Sequence, residues 1–264
     1  MTSALQELAT SIAVEAGDLA LRRRREGVAV AATKSSAVDV VTAADREVEA
    51  FIRERLAAER PGDGFLGEES DSELGTTGLT WVVDPIDGTV NYLYDIPSWA
   101  VSVAVVEGGV DPASWRVLAG CVVNPSNGEV FAAALGEGAT LGGEPISVSA
   151  PVTLSQSLVA TGFGYDADRR REQAATVERL IGKVRDIRRM GAASLDLCAL
   201  AAGRIDAYYE RGLSAWDFAA GALIAAEAGA IVEAGNVRDW RRLVAAAPPA
   251  IADEFFALLR GAGA

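Results

Sequence analysis

The sequence predicts an α+β protein in two halves, residues 1–150 and 151–264, on three observations. Two amphipathic helical stretches stand at the N-terminus, short β-rich segments fill the middle, and helices and strands alternate in the last third. At 264 residues the chain exceeds the ~150 of a common single domain and is long enough to bury a sizeable core.

Leu5, Leu8, Ile12, Ala16, Leu19 and Ala20 recur at three- and four-residue intervals, which predicts a first helix ending before Gly27. Thr42-Ala-Ala-Asp45 has capping-box spacing and opens a second helix, whose stripe of Val48, Phe51, Ile52 and Leu56 runs to Pro61-Gly62. Residues 80–83, 100–106, 118–123 and 129–133 read as strands of an antiparallel sheet, separated by turn formers such as Gly108-Gly109 and Asn127-Gly128. Beyond Ser149-Ala150-Pro151 we expect strands at 158–161 and 206–209, with helices near 172–181, 194–202, 216–228 and 250–259. The glycines of Gly136-Glu-Gly138-Ala-Thr-Leu-Gly142 lack dinucleotide-loop spacing and read as a strand-connecting turn.

Composition removes several chemistries. The chain has no histidine, so it cannot carry a Ser-His-Asp triad, a His-ligated zinc or a phosphohistidine. Cys121 and Cys198 are isolated and read as reduced, structural thiols. With 24 Lys and Arg against 37 Asp and Glu, the net charge is −13, which disfavours nucleic acid as the main ligand. The basic runs Arg22–Arg25 and Arg169–Arg171 read as cations on solvated helix ends. No apolar run reaches the ~18 residues of a membrane helix, and Glu7, Glu15 and Asp18 interrupt any export signal, so the expected location is the cytoplasm.

The chemistry concentrates in Trp81-Val-Val-Asp84-Pro85-Ile86-Asp87-Gly88-Thr89, a hydrophobic strand running into two carboxylates and a Gly-Thr turn. Pro85 lacks an amide donor and is expected to end the strand, holding Asp84 and Asp87 in one tight turn. Two such acids beside a buried strand repel each other and call for a cation. Gly67-Glu68-Glu69-Ser70 upstream and Trp216-Asp217 downstream add further hard oxygen ligands, which suit Mg²⁺ or Mn²⁺. Taken singly, Glu68-Glu69 also reads as a solvated acidic loop, and Asp45 and Asp217 as helix-capping residues.

Taken in order, these segments resemble the inositol monophosphatase family: Gly67-Glu68-Glu69-Ser70, then Asp84-Pro-Ile-Asp87-Gly-Thr-Val-Asn91-Tyr92, then Trp216-Asp217-Phe-Ala-Ala-Gly221. Weaker matches are Lys34, Asp39 to Asp45, Thr161-Gly162-Phe163, Arg188 to Leu197 and Asp206 to Glu210, so the resemblance spans roughly residues 5–250. It implies a layered α/β/α/β/α sandwich of the sugar-phosphatase, fructose-1,6-bisphosphatase-like type, with the active site between the halves, and a homodimer. It also implies that Glu68, Asp84, the Ile86 carbonyl, Asp87 and Asp217 hold two Mg²⁺ ions, with Glu69 beside a loosely bound third. Mn²⁺ is a plausible substitute and Li⁺ an expected inhibitor. Thr89, hydrogen-bonded to Asp45, is expected to orient the attacking water, and Gly88 and Thr89 to offer amides to phosphate. The D-x-D haloacid-dehalogenase phosphatases form an aspartyl-phosphate; Asp84 and Asp87 are three apart, and no covalent intermediate is expected.

For the substrate, the resemblance implies that Glu210 accepts hydrogen bonds from inositol hydroxyls and that Gly191, Ala192 and Ala193 form the loop beside the ring. Two departures bear on selectivity: Ala192 stands where many relatives have Ser or Thr, and Phe163-Gly164 where bacterial members commonly have Phe-Pro. Inositol 1-phosphate is the leading substrate. The alternatives are histidinol phosphate, fructose 1,6-bisphosphate or a 3′-phosphonucleotide with the same chemistry, or a regulatory relative that binds RNA or the transcription machinery.

Overall fold

The computed structural model describes residues 2–28, 30–33, 40–112, 114–150, 153–234 and 243–263. Lys34, Asp39 and Pro151, named above, lie outside the described residues. In chain order the first elements are α1 (Thr2–Glu26), β1 (Val30–Thr33), β2 (Val40–Thr42), α2 (Ala43–Glu59), β3 (Gly64–Gly67), β4 (Leu79–Asp87), α3 (Thr89–Tyr94), β5 (Ala100–Glu107) and β6 (Arg116–Asn124). Next come β7 (Glu129–Ala134), β8 (Ala139–Leu141), β9 (Glu144–Ile146), β10 (Leu158–Thr161), α4 (Ala167–Leu180), β11 (Asp186–Arg188) and α5 (Ala193–Ala201). The chain closes with β12 (Ala207–Arg211), α6 (Ala215–Glu227), β13 (Ile231–Ala234), β14 (Leu243–Ala247) and α7 (Pro249–Gly261).

Strands β3 to β9 form a seven-stranded sheet in sequence order, and a five-stranded sheet runs β11-β10-β12-β14-β13. Successive strand residues point to opposite faces, and the core divides accordingly. Trp81, Val83, Val101, Val103 and Val105 pack with Leu5, Ile12, Val48 and Ile52 of α1 and α2, while Val82, Ala104 and Val106 pack with Ala219, Leu223 and Ile224 of α6. In the second sheet Tyr208, Val244 and Ala246 face Leu197, Leu200 and Phe218, whereas Tyr209, Ala245 and Ala247 face Ile251, Phe255 and Leu259 of α7. The order helix, sheet, helix, sheet, helix is the five-layer sandwich that the resemblance implied. All nine residues of α5 are buried because that helix lies between the two sheets.

The large sheet has an edge strand beyond those expected, and one local expectation needs correction. The large sheet is antiparallel except at its edge, where β3 runs parallel to β4. Residues 68–78 make this possible by turning back against β3, with Phe65 and Glu73 exchanging both backbone hydrogen bonds at 2.9 and 2.8 Å, before the chain re-enters the sheet. Pro85 does not end β4, which continues to Asp87. β3 stops opposite Val83, so nothing on that side requires a donor at position 85, and an irregularity in the pairing with β5 between Asp84 and Asp87 absorbs the ring.

Candidate active site

The β4 bulge sets the site. Its hydrophobic residues anchor the strand in the core, and its end delivers Asp84, Ile86 and Asp87 into a cleft of about 480 Å³. Gly88 turns the chain into α3 with φ 90°, and a β-carbon there would sit 3.1 Å from the Ser98 carbonyl and 3.2 Å from that of Gly191. Glycine is required on both counts.

Each aspartate has one oxygen tied to nearby donors. Asp84 Oδ1 accepts from the Ile86 amide at 3.0 Å, and Asp87 Oδ2 from the Ser194 amide at 2.8 Å and hydroxyl at 2.5 Å. Asp217 Oδ2 accepts from the Ser214 amide at 2.6 Å, capping α6. Asp45 does the same for α2: Oδ2 takes the Thr42 amide and hydroxyl at 2.9 and 2.5 Å, while Oδ1 accepts from Thr89 Oγ1 at 3.2 Å. Capping and site geometry are therefore served by the same side chains: one oxygen of Asp45 caps α2 while the other meets Thr89, and one oxygen of Asp217 caps α6.

The electrostatics are those of uncompensated negative charge. Burial, followed by the charges of Glu68, Asp87 and Asp217, pushes the Asp84 carboxyl well above the usual range, and a hydrogen bond with Glu68 adds to the rise. Asp217 is raised by burial and by Glu68 and Asp87. Burial also lifts Asp87 and Asp45 to about 6, against the opposing hydrogen bonds from Ser194 and Thr42.

In the same cleft Glu210 is pushed up to about 7, mainly by burial, while Tyr208 Oη donates to its Oε2 at 3.0 Å. Its carboxylate lies so close to the Gly162 backbone that a β-carbon there would fall 2.0 Å from Oε2. Asn91 Nδ2 donates to the carbonyls of Ser98 at 2.7 Å and Met190 at 2.8 Å, fixing the loop that carries Gly191 against the start of α3.

Of the residues singled out from sequence, Glu68, Asp84, Ile86, Asp87, Gly88, Thr89, Gly191, Ala193, Glu210 and Asp217 line this one cleft. Ala192 does not. It is 2 % exposed and packs in the core between the large sheet and α5 and α6, with its β-carbon beside the Gly88 turn. Asp45, fully buried, reaches the cleft only through Thr89, and Glu69 lies outside the lining. Sequence reasoning passed over Gly162 and Arg189, which also line it, and Arg169, read from sequence as a cation on a solvated helix end, lines it too. Gly162 and Arg189 stood in the weaker matched segments, but nothing in the sequence indicated their proximity to Glu210.

Among the described residues no group of three or more acidic side chains is closed into a finished metal cage. The fit to a divalent cation rests instead on donor chemistry. Glu68, Asp84, the Ile86 carbonyl, Asp87 and Asp217 are hard oxygen donors around one cleft, and their mutual repulsion is what a Mg²⁺-class ion relieves.

The structure superposes on that of the extragenic suppressor protein SuhB from Bartonella henselae with TM-score 0.88, at 34% identity over 97% of this chain and 98% of the other. In sequence it is 43% identical to the inositol-1-monophosphatase of Mycobacterium bovis (97% of this chain, 93% of the relative). It is 37% identical to the Nus factor SuhB of Salmonella typhimurium (85% and 83%). Fold and relatives make the protein an enzyme of the phosphatase class that acts on small phosphate compounds. The inositol monophosphatase family matches residues 1–262, and the chain belongs to that metal-dependent family.

Proposed function

We propose that the protein hydrolyses phosphate monoesters, inositol 1-phosphate first among them, with Mg²⁺ held by Glu68, Asp84, the Ile86 carbonyl, Asp87 and Asp217. The observation that carries this reading is the convergence of four buried or half-buried carboxylates on one cleft, each raised or opposed by its neighbours' charge. When bound, such ions neutralise phosphate oxygens and lower the pKa of water. The chain's residues do the rest. Thr89 Oγ1 donates its proton to Asp45 Oδ1 or to the Ile86 carbonyl, 3.2 and 3.1 Å away, so its lone pairs are free to accept from a water and aim it at phosphorus. With Asp45 at about 6, that acceptor is ionised at neutral pH. In this reading the amides of Gly88 and Thr89, both in the cleft lining, bind phosphate oxygens, and Glu210, which accepts from Tyr208, binds substrate hydroxyls.

Within this reading the chain divides near residue 150, the first part supplying Glu68, Asp84, Ile86 and Asp87 and the second Asp217 and Glu210. It works as a cytoplasmic homodimer; no helix among the described residues is long and apolar enough to cross a membrane. The Salmonella relative's name raises a second reading, a role in the transcription machinery. The basic run is poorly placed for that: Arg23 pairs with Glu47 and Glu26 at 2.6 Å, and Arg24 with Asp95 at 3.2 Å.

The test is phosphate release from D-myo-inositol 1-phosphate with Mg²⁺ and with chelator, beside histidinol phosphate, fructose 1,6-bisphosphate and adenosine 3′,5′-bisphosphate. A Mg²⁺-dependent preference for the inositol ester is expected. Another winner would keep the metal mechanism and change the substrate, and hydrolysis that survives chelation would end it. Asp84→Asn should lose nearly all turnover, and a normal Mg²⁺-dependent rate in that variant would refute the ligand set.

A further inference from the structure

We propose that Glu49, on α2, is the positioning residue that aims Glu68 into the cleft. Its side chain is 2 % exposed, and both carboxylate oxygens are taken by the segment that follows Glu68. Oε2 accepts from the Glu69 amide at 2.8 Å and Oε1 from the Ser70 hydroxyl. One turn further along α2, Arg53 donates to Ser70 Oγ at 2.6 Å and to the Asp71 carbonyl at 3.0 Å, and pairs with Glu73 at 2.5 Å. Its guanidinium lies 4.1 Å above the Phe65 ring. Two side chains four residues apart on one helix face thus grip residues 69–73.

The strand on the other side of Glu68 is held by the same carboxylate. Gly67 pairs with Val83 at the end of β3, and a β-carbon at Gly67 would fall 2.4 Å from Glu49 Oε2. Glu68 is therefore suspended between a strand end against which Glu49 packs and an amide that Glu49 binds. That places its own carboxyl in hydrogen-bond contact with Asp84. The reach of this side chain brings its two terminal atoms to the amide of Glu69 and the hydroxyl of Ser70, and the fixed backbone leaves Glu68 little freedom to swing away.

The inference rests on the metal reading above, and its test separates the two. Mn²⁺ binding to the full chain is titrated by the free-ion paramagnetic resonance signal for wild type, Glu49→Asp, Glu49→Gln, Glu68→Ala and the pairs with Glu68→Ala. Asp keeps the charge but withdraws it by one methylene, whereas Gln keeps the reach, with its oxygen accepting from the Glu69 amide and its NH2 donating to the Ser70 hydroxyl oxygen. Positioning predicts that Glu49→Asp weakens Mn²⁺ binding about 10- to 100-fold while Glu49→Gln stays within about threefold of wild type. It also predicts that Glu49→Asp costs nothing further once Glu68 is Ala. The opposite order of Asp and Gln, unchanged affinity in both, or a full extra loss in the Glu68→Ala background would overturn it. Failure of the wild type to bind Mn²⁺ would overturn the metal reading and this inference together.

Discussion

Gly162 owes its identity to a neighbour 48 positions away in the chain. A methyl there would occupy the place of the Glu210 carboxylate, so Gly162→Ala should push Glu210 out of its seat. The expected result is a KM for inositol 1-phosphate raised about tenfold or more, with little change in kcat on p-nitrophenyl phosphate, which has no ring hydroxyls to lose. Steady-state kinetics on both esters check it, and equal losses on the two would point to general damage instead. This is also where the sequence is least legible. Asp45 and Asp217 read equally as caps or as site residues, because one oxygen of each does the capping and the other does not. The contact of Gly162 with Glu210 exists only after β10 and β12 pair. A glycine loop beside a site likewise gives no indication that the Ala192 side chain is buried while Gly191 and Ala193 line the cleft.

Among the elements, α5 and α6 carry the junction between the sheets. Leu197 of α5 is fully buried within the cluster that faces the small sheet, so Leu197→Ala should cost about 2–5 kcal/mol. Denaturant unfolding would measure it; Leu74→Ala, at a residue 78 % exposed, is the control that should change little. The longer helices were legible because their apolar spacing and their capping boxes are local signals, as at Thr42 and Ser214, although α4 starts five residues before the expected 172 and the six-residue α3 has no such signal. The strands that went unnoticed are short or alanine-rich. β3, β8 and β9 have three or four residues, and Leu243-Val-Ala-Ala-Ala247 of β14 carries a composition that favours helix. Pairing with β12 and β13 overrides that preference.

At the scale of the whole molecule, the absence of histidine leaves the pH range between about 5 and 8 to the raised carboxylates. Asp45 and Asp87 rise from 3.8 to about 6 and Glu210 from 4.5 to about 7. A carboxyl with a folded pKa above its unfolded value binds more protons in the native state. Its stabilising contribution is full below the unfolded pKa and is lost as pH climbs through the folded one. The lowered acids, such as Asp63 and Glu129, are already ionised throughout this window and add no slope. Metal-free protein should therefore melt at a lower Tm at about pH 8 than at about pH 5.5, and saturating Mg²⁺ should remove most of the difference. Calorimetry at several pH values checks it, and a flat metal-free profile would contradict the charge balance described here. The five-layer order was legible only through the family resemblance, since periodicity marks which face of a strand is apolar but not which helix covers it. The bonds from Ser194 to Asp87 join the second residue of α5 to the last residue of β4. One aspartate is thus both a ligand candidate and a rivet between layers, so emptying the cleft of cations should be felt as faster amide exchange in α5, in residues that never touch the ion.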